Sequence, residues 1–202
     1  MADYCVVRTD KMTGTDDRAH VISAKYYTNG EEAPIENGSI VAIGRLDFKS
    51  TDGAELEREI FKVGPPIISG HAAMGPDGQT TATPKEEATE LEIIPFDFLC
   101  LVASPEVFYD EHKKDLKLFR NEAGDILRCY KLHSGDIFSV TAEGFVGNPN
   151  VAVGDAVMTD ASGKLKIIDT GATGLVIGNC IGIEKAGSYT FITIMVADAA
   201  NE

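Results

Sequence analysis

Four histidines, four cysteines and 32 acidic residues are the side chains of this sequence that could bind a metal ion, attack a substrate or move a proton. Metal sites draw such ligands from short, recognisable spacings. His20, His71, His112 and His133 lie in separate segments, with no H-x-x-x-H or H-E-x-x-H. Cys5, Cys100, Cys129 and Cys180 show no C-x-x-C. A D-x-D-x-D-G calcium loop is missing too, and Glu86-Glu87-Ala88-Thr89-Glu90 reads as a solvated charge run. His133, Ser134 and Asp136 carry the letters of a catalytic triad. Triad members must converge in space, however, and neighbours along a strand point to opposite faces. Asp97 and the pair Asp110-Glu111 could do acid–base work, but a strand end and a helix surface explain them as well. GATGLVIGN has three glycines without a following G-K-[ST], and neither G-x-G-x-x-G nor G-x-S-x-G occurs. No catalytic, cofactor-binding or metal-ligating residue stands out, so the expectation is a non-enzymatic protein without a cofactor.

The elements that would position any site are mostly strands. HVISAKYY, SIVAIGRL (39 to 46), EIFKVG, LEIIPFDFLCLVA (91 to 103, with Pro95 marking an edge, a bulge or a bend), DILRCYKL, GDIFSVTAE, GLVIGNCIGIE and SYTFITIMVA recur along the chain, the later ones with Gly, Asn or Asp between them. Such spacing predicts a small sandwich or barrel. VAVGDAVMTDASGKLKII reads as two paired strands with nothing reactive at their tip. Asn37-Gly38 is a turn signal and wins over the glycosylation sequon that Asn37-Gly38-Ser39 also spells. The segments 37–41, 134–138 and 153–157 each place a Gly and a small polar residue before a strand. This is either a weak internal repeat or turn chemistry alone.

Four regions follow. Residues 1–18 are an N-terminal arm or an edge strand, and 19–103 are β-rich with a Pro/Gly/Thr-rich loop over 64–90. A helical segment is expected over 104–124, from Ser104-Pro105-Glu106 as N-cap, first-turn proline and acid, to Gly124 as stop. Residues 125–202 form a second β-rich domain.

Composition narrows the partners. The net charge is −14, and no basic run exceeds Lys113-Lys114. Binding to phosphates needs clustered cations, so neither nucleic acid nor an anionic membrane is an expected partner. MADYCVVRTDK does not read as a signal peptide, and no segment approaches the roughly 20 apolar residues of a membrane span. Four scattered cysteines read as reduced, mostly buried thiols made in a reducing cytoplasm.

The stretch from HSGDIFSVTAEGF through VAVGDAVMTDASGKLKIIDTG to LVIGNCIGIEKAGSYTFITIMVA resembles head decoration proteins of tailed bacteriophages. It shares their "GD-apolar" strand, D-x-x-G-K-L hairpin and "IG-x-x-IGIE" strand. VASPEVFYDEHKKDLKLFRNEAGDILRCYKL is similar to a segment of phage virion proteins, and the resemblance covers roughly residues 98 to 197. It implies a mainly β, sandwich- or barrel-like protein with a β-tulip-like C-terminal part. It also implies a cement protein on the outside of the virion head, made in the host bacterial cytoplasm. Its partner would be the major capsid protein, with a homo-oligomer, such as a trimer, as a further expectation. Tyr4, Val6, Val7 and Arg8 are the candidate capsid-binding residues, and the loop over 64–90 is a second candidate contact. The competing readings are a tail, baseplate or host-adhesion module and, further off, a carboxylate-dependent hydrolase.

Overall fold

The structure, a computed structural model, describes residues 3–13, 20–28, 30–43, 60–68, 92–93, 99–105, 116–168 and 175–197. In chain order its strands are β1 (Val21–Thr28), β2 (Glu31–Glu32), β3 (Ile40–Ile43), β4 (Ile60–Gly64), β5 (Ile67–Ile68), β6 (Glu92–Ile93) and β7 (Leu99–Val102). There follow β8 (Leu127–Lys131), β9 (Ile137–Thr141), β10 (Ala156–Thr159), β11 (Leu165–Ile167), β12 (Leu175–Ala186) and β13 (Tyr189–Val196). The protein is mainly β, as its turn-punctuated sequence leads one to expect.

The first sheet runs β2-β1-β4-β3-β7-β8, and β8 pairs back onto β1. Five of its strands therefore close into a ring. β1 lies parallel to β4, and the remaining ring pairings are antiparallel. All five ring strands contribute to one cluster, made of Ile22, Ala24, Val41, Val63, Cys100, Val102, Leu127 and Cys129 with Ile35 of the β2–β3 connection. This cluster is the ring's interior.

The second sheet runs β11-β10-β12-β13-β9. It curls, because the chain leaving β9 passes through a 3-10 turn at Ala142–Gly144 and lays Phe145 beside Leu165 of β11. Its inner face packs on the outside of the ring. Ile40, Ala42, Leu99 and Leu101 meet Phe138, Val140, Phe145, Val157, Leu165, Ile177, Ile192 and Ile194 in a single larger core. β3 and β7 are thus buried on both faces, one set of side chains in each core. That is why IVAI and LCLV are apolar throughout, whereas strands with one wet face alternate.

Turn chemistry sets the register. In Glu122–Asp125, His133–Asp136 and Ala152–Asp155 the fourth residue is Asp and the third is a glycine with φ of 88°, 84° and 97°. Each Asp carboxylate accepts the N–H of the residue three before it, at 2.8 Å in every case. A glycine at the third position of such a turn supplies the positive φ at no steric cost. The similarity of 134–138 and 153–157 is accounted for by this local device. Asn37 is buried and makes its own knot. Its amide group bonds Ser104 through both backbone groups, and Asn121 donates to its Oδ1.

The β10–β11 hairpin forms as expected. The Asp160 carboxylate receives Ser162 N–H at 2.8 Å, Ser162 Oγ–H at 2.6 Å and Lys164 N–H at 3.2 Å. Gly163, at φ 85°, then offers its carbonyl to Ile40 N–H at 2.8 Å. The hairpin tip is therefore a joint between the two sheets. The helix expected over 104–124 lies outside the described residues for 106–115. The described remainder contains one 3-10 turn, Leu116–Leu118, and extended backbone bridging Ile35 at Asn121. Of the loop over 64–90, residues 69–90 lie outside the described residues, and its two ends are joined by the β5–β6 ladder.

Candidate functional site

The N-terminal segment is held along the free edge of β9. Thr141 N–H donates to Val6 O, Arg8 N–H to Ser139 O and Thr13 N–H to Ile137 O, at 3.0, 2.9 and 3.1 Å. Val7 bridges Val140. An uncovered strand edge is a template for unwanted pairing, and residues 6 to 13 cover this one. Val6 and Val7 are buried, and Cys5 packs against Gly38 and Gly144. The candidate docking residues are therefore not brought together on one surface. Val7 joins the inter-sheet core, and Val6 beside it is buried as well. Tyr4 is half-buried under the Arg120 guanidinium, which stands 5.6 Å from its ring. Arg8 alone reaches a charged surface. Residues 6–13 thus lie beside β9, with one isolated bridge at Val7 and a 3-10 turn at Thr9–Lys11.

That surface lies on the long β12–β13 hairpin, close to its turn at Gly187-Ser188. Arg8 pairs with Asp10 at 3.1 Å and Glu184 at 3.2 Å, and its guanidinium sits 5.7 Å from the Phe191 ring centre. Lys11 reaches the same Glu184 at 2.7 Å. The hydrogen bond from Arg8 holds the Asp10 carboxyl below its ordinary value, and the bond from Lys11 does the same for Glu184. Both acids are held towards the charged form by their cationic partners.

Next to that turn, Lys117 Nζ stands 6.0 Å from the Tyr189 ring centre. Residues 183 to 190 are exposed apart from Ala186 and Tyr189, which are partly covered. Seven large apolar residues are exposed among those described, and four of them, Val176, Ile181, Ile183 and Met195, lie on β12 and β13. Ile183 pairs with Ile192 where the core-facing side of the hairpin passes the end of the core. Met195 pairs with Asn179 on the opposite face. Single exposed apolar residues are ordinary; here four of the seven share one hairpin, divided between its two faces. The apolar alternation of GLVIGNCIGIE hides this. The register shifts between Cys180 and Gly182, which leaves Ile181 unpaired and exposed. Gly182 beside it is the one sequence signal for a bulge.

A shallow depression lies on the side of Ala142–Gly144, lined by Asp3, Glu143, Phe145, Val146, Asn148 and Lys164. Burial would raise the Glu143 carboxyl, but bonds from Lys117 and Thr141 outweigh it and hold the group below its ordinary value. Lys117 lies 2.7 Å from Glu143, and Lys164 pairs with Glu36 at 3.2 Å. Opposite charges thus neutralise one another within hydrogen-bonding range. The four thiols are buried and unpaired with one another. Burial pushes Cys5 and Cys100 up to about 12, and since the thiolate is the nucleophile these sulfurs are inert. No helix among the described residues is long and apolar enough to cross a membrane.

What the surface offers a partner is apolar side chains on the β12–β13 hairpin, with fixed charge near its turn. Comparison with known protein families, curated proteins and solved structures finds no match to the chain.

Proposed function

We propose that the protein is a non-enzymatic capsid decoration protein of a tailed bacteriophage, bound to the outer surface of the major capsid lattice and stabilising the head. On this reading the curled second sheet is the β-tulip-like unit of such proteins. The observation that carries the proposal is the β12–β13 hairpin, which exposes Val176, Ile181, Ile183 and Met195 and carries the Arg8–Glu184–Lys11 charge cluster nearer its turn. Two stacked cores and a covered β9 edge support it, because a load-bearing protein needs rigidity and resistance to stray strand pairing. The net charge of −14 fits a position outside the shell, where no contact with packaged DNA is required. Many copies on a symmetric lattice make a modest contact per copy sufficient.

The test pairs the wild-type chain with I183D and M195D, two surface changes that leave the core untouched. Heads assembled from the phage's own major capsid protein should retain the wild type in co-sedimentation. Each variant, melting as the wild type does, should lose at least tenfold in affinity. Unchanged binding by both variants would remove the hairpin from the contact. Binding to tails but not heads would move the protein to the tail or baseplate. Self-association through the same hairpin is separated from docking by sedimentation of the free wild type and variants.

A further inference from the structure

The chain folds two histidines that are far apart in sequence against one aspartate. We propose that His20, His133 and Asp136 form a site for a divalent transition-metal ion of the zinc type. The side-chain donor atoms of the three residues all lie within 4.8 Å of one another. His20 Nδ1 is 3.9 Å and His133 Nδ1 is 3.6 Å from Asp136 Oδ2. Tetrahedral zinc holds nitrogen and oxygen ligands at about 2.0–2.1 Å, which places neighbouring ligand atoms roughly 3.4 Å apart. The two histidine–carboxylate distances are within about 0.5 Å of that spacing, and side-chain rotation of up to about 1.4 Å between the donors would close the site.

The backbone holds these groups in place. His20 stands just before β1, and its carbonyl accepts Lys131 N–H at 2.7 Å, so ring closure between β1 and β8 brings it to the β8–β9 turn. His133 opens that turn, and Gly135 at φ 84° swings Asp136 back towards it. The two imidazole rings are 4.2 Å apart between centres, tilted by 40°. Asp136 Oδ2 receives His133 N–H at 2.8 Å, and Oδ1 receives the Thr13 hydroxyl at 3.2 Å. Ligating carboxylates are oriented by such outer bonds. The Asp136 backbone is fixed as well, its carbonyl accepting Val196 N–H at 2.8 Å.

The ligand set selects the ion. Two imidazoles with one carboxylate suit zinc, cobalt, nickel or iron(II), whereas calcium and magnesium require mostly oxygen. With the His133 side chain 47% exposed and those of His20 and Asp136 at 22% and 16%, the fourth position opens to solvent. An ion here would tie the β1 entry to the linker between the two sheets, with Thr13 of the N-terminal segment bonded to one of its ligands.

The test is calorimetric titration of zinc chloride into the untagged, chelator-treated full chain at neutral pH. Imidazole resonances are followed by NMR. One ion per chain should bind, shift two of the four histidines and raise the melting temperature by about 5 °C at saturation. H133A and D136N, each first shown to melt cooperatively without metal, should weaken binding at least tenfold. No heat and no imidazole shift with excess zinc would overturn the proposal. So would binding that both variants leave unchanged.

Discussion

The ring interior and the inter-sheet core share β3 and β7, yet they are filled by different kinds of side chain. Inside the ring the buried cluster consists of Ala24, Val41, Val63, Val102, Cys100 and Cys129, with Ile22, Ile35 and Leu127 as its largest members and Tyr26, Ile43 and Phe61 packed against it from partly exposed positions. Between the sheets stand Phe138, Phe145, Met12, Tyr130, Leu165 and several isoleucines. A five-stranded ring has a narrow lumen that small and β-branched residues fill, and larger ones would have to push strands apart. The inter-sheet space is wider, so aromatic side chains lock it by interdigitation. The ring is accordingly sensitive to added volume and the inter-sheet core to lost volume.

The largest expected effect follows from emptying the wider core. Phe138→Ala should cost about 3–5 kcal/mol, read as a lower urea midpoint with an unchanged slope. A loss below 1 kcal/mol would mean that the sheets do not depend on each other there. Gly163→Ala should cost about 2–3 kcal/mol, because it places a Cβ against the Ile40 carbonyl at a φ of 85°. Equilibrium unfolding measures it, and a neutral result would detach the hairpin tip from the ring. Ala24→Val tests the narrow lumen from the other direction. Overpacking should cost about 1–2 kcal/mol, although the same change on an open face would be harmless.

The smallest effect is electrostatic and depends on pH. Glu143 has its folded pKa held below the ordinary 4.5 by Lys117 and Thr141. Its contribution is therefore full above pH 4.5 and is lost as the pH falls through the lower folded value. Lys117→Met should remove up to about 1 kcal/mol at neutral pH. It should also flatten the acid side of the stability curve below 4.5. A curve parallel to the wild type at all pH values would assign no role to the pair.

Legibility in the sequence followed sequence distance. The β10–β11 hairpin is written in adjacent residues, Asp160 to Gly163, and β12–β13 turns at Gly187-Ser188. These elements can be read because their pairing is local. The continuous apolar runs of β3 and β7 announce burial on two faces, but not which cores they divide. Ring closure cannot be read from local patterns, since β1 pairs with β4 on one side and β8 on the other. The same closure carries His20 to His133, which no spacing rule could foresee. Strand alternation also misleads at His133-Ser134-Gly135-Asp136. These residues form a turn, so His133 and Asp136 meet where strand geometry would separate them. Val6 and Val7 read as an exposed apolar stretch only while β9 and the slot beside it are unknown.

The measurement that tests the proposed role most directly is co-sedimentation of the wild-type chain with expanded heads of the phage to which that proposal would assign it, followed by heating of the complexes. The account expects saturable binding at a fixed copy number set by the lattice symmetry. Decorated heads should then survive to a higher temperature than bare ones. A folded chain that neither binds expanded heads nor changes their heat resistance would contradict it.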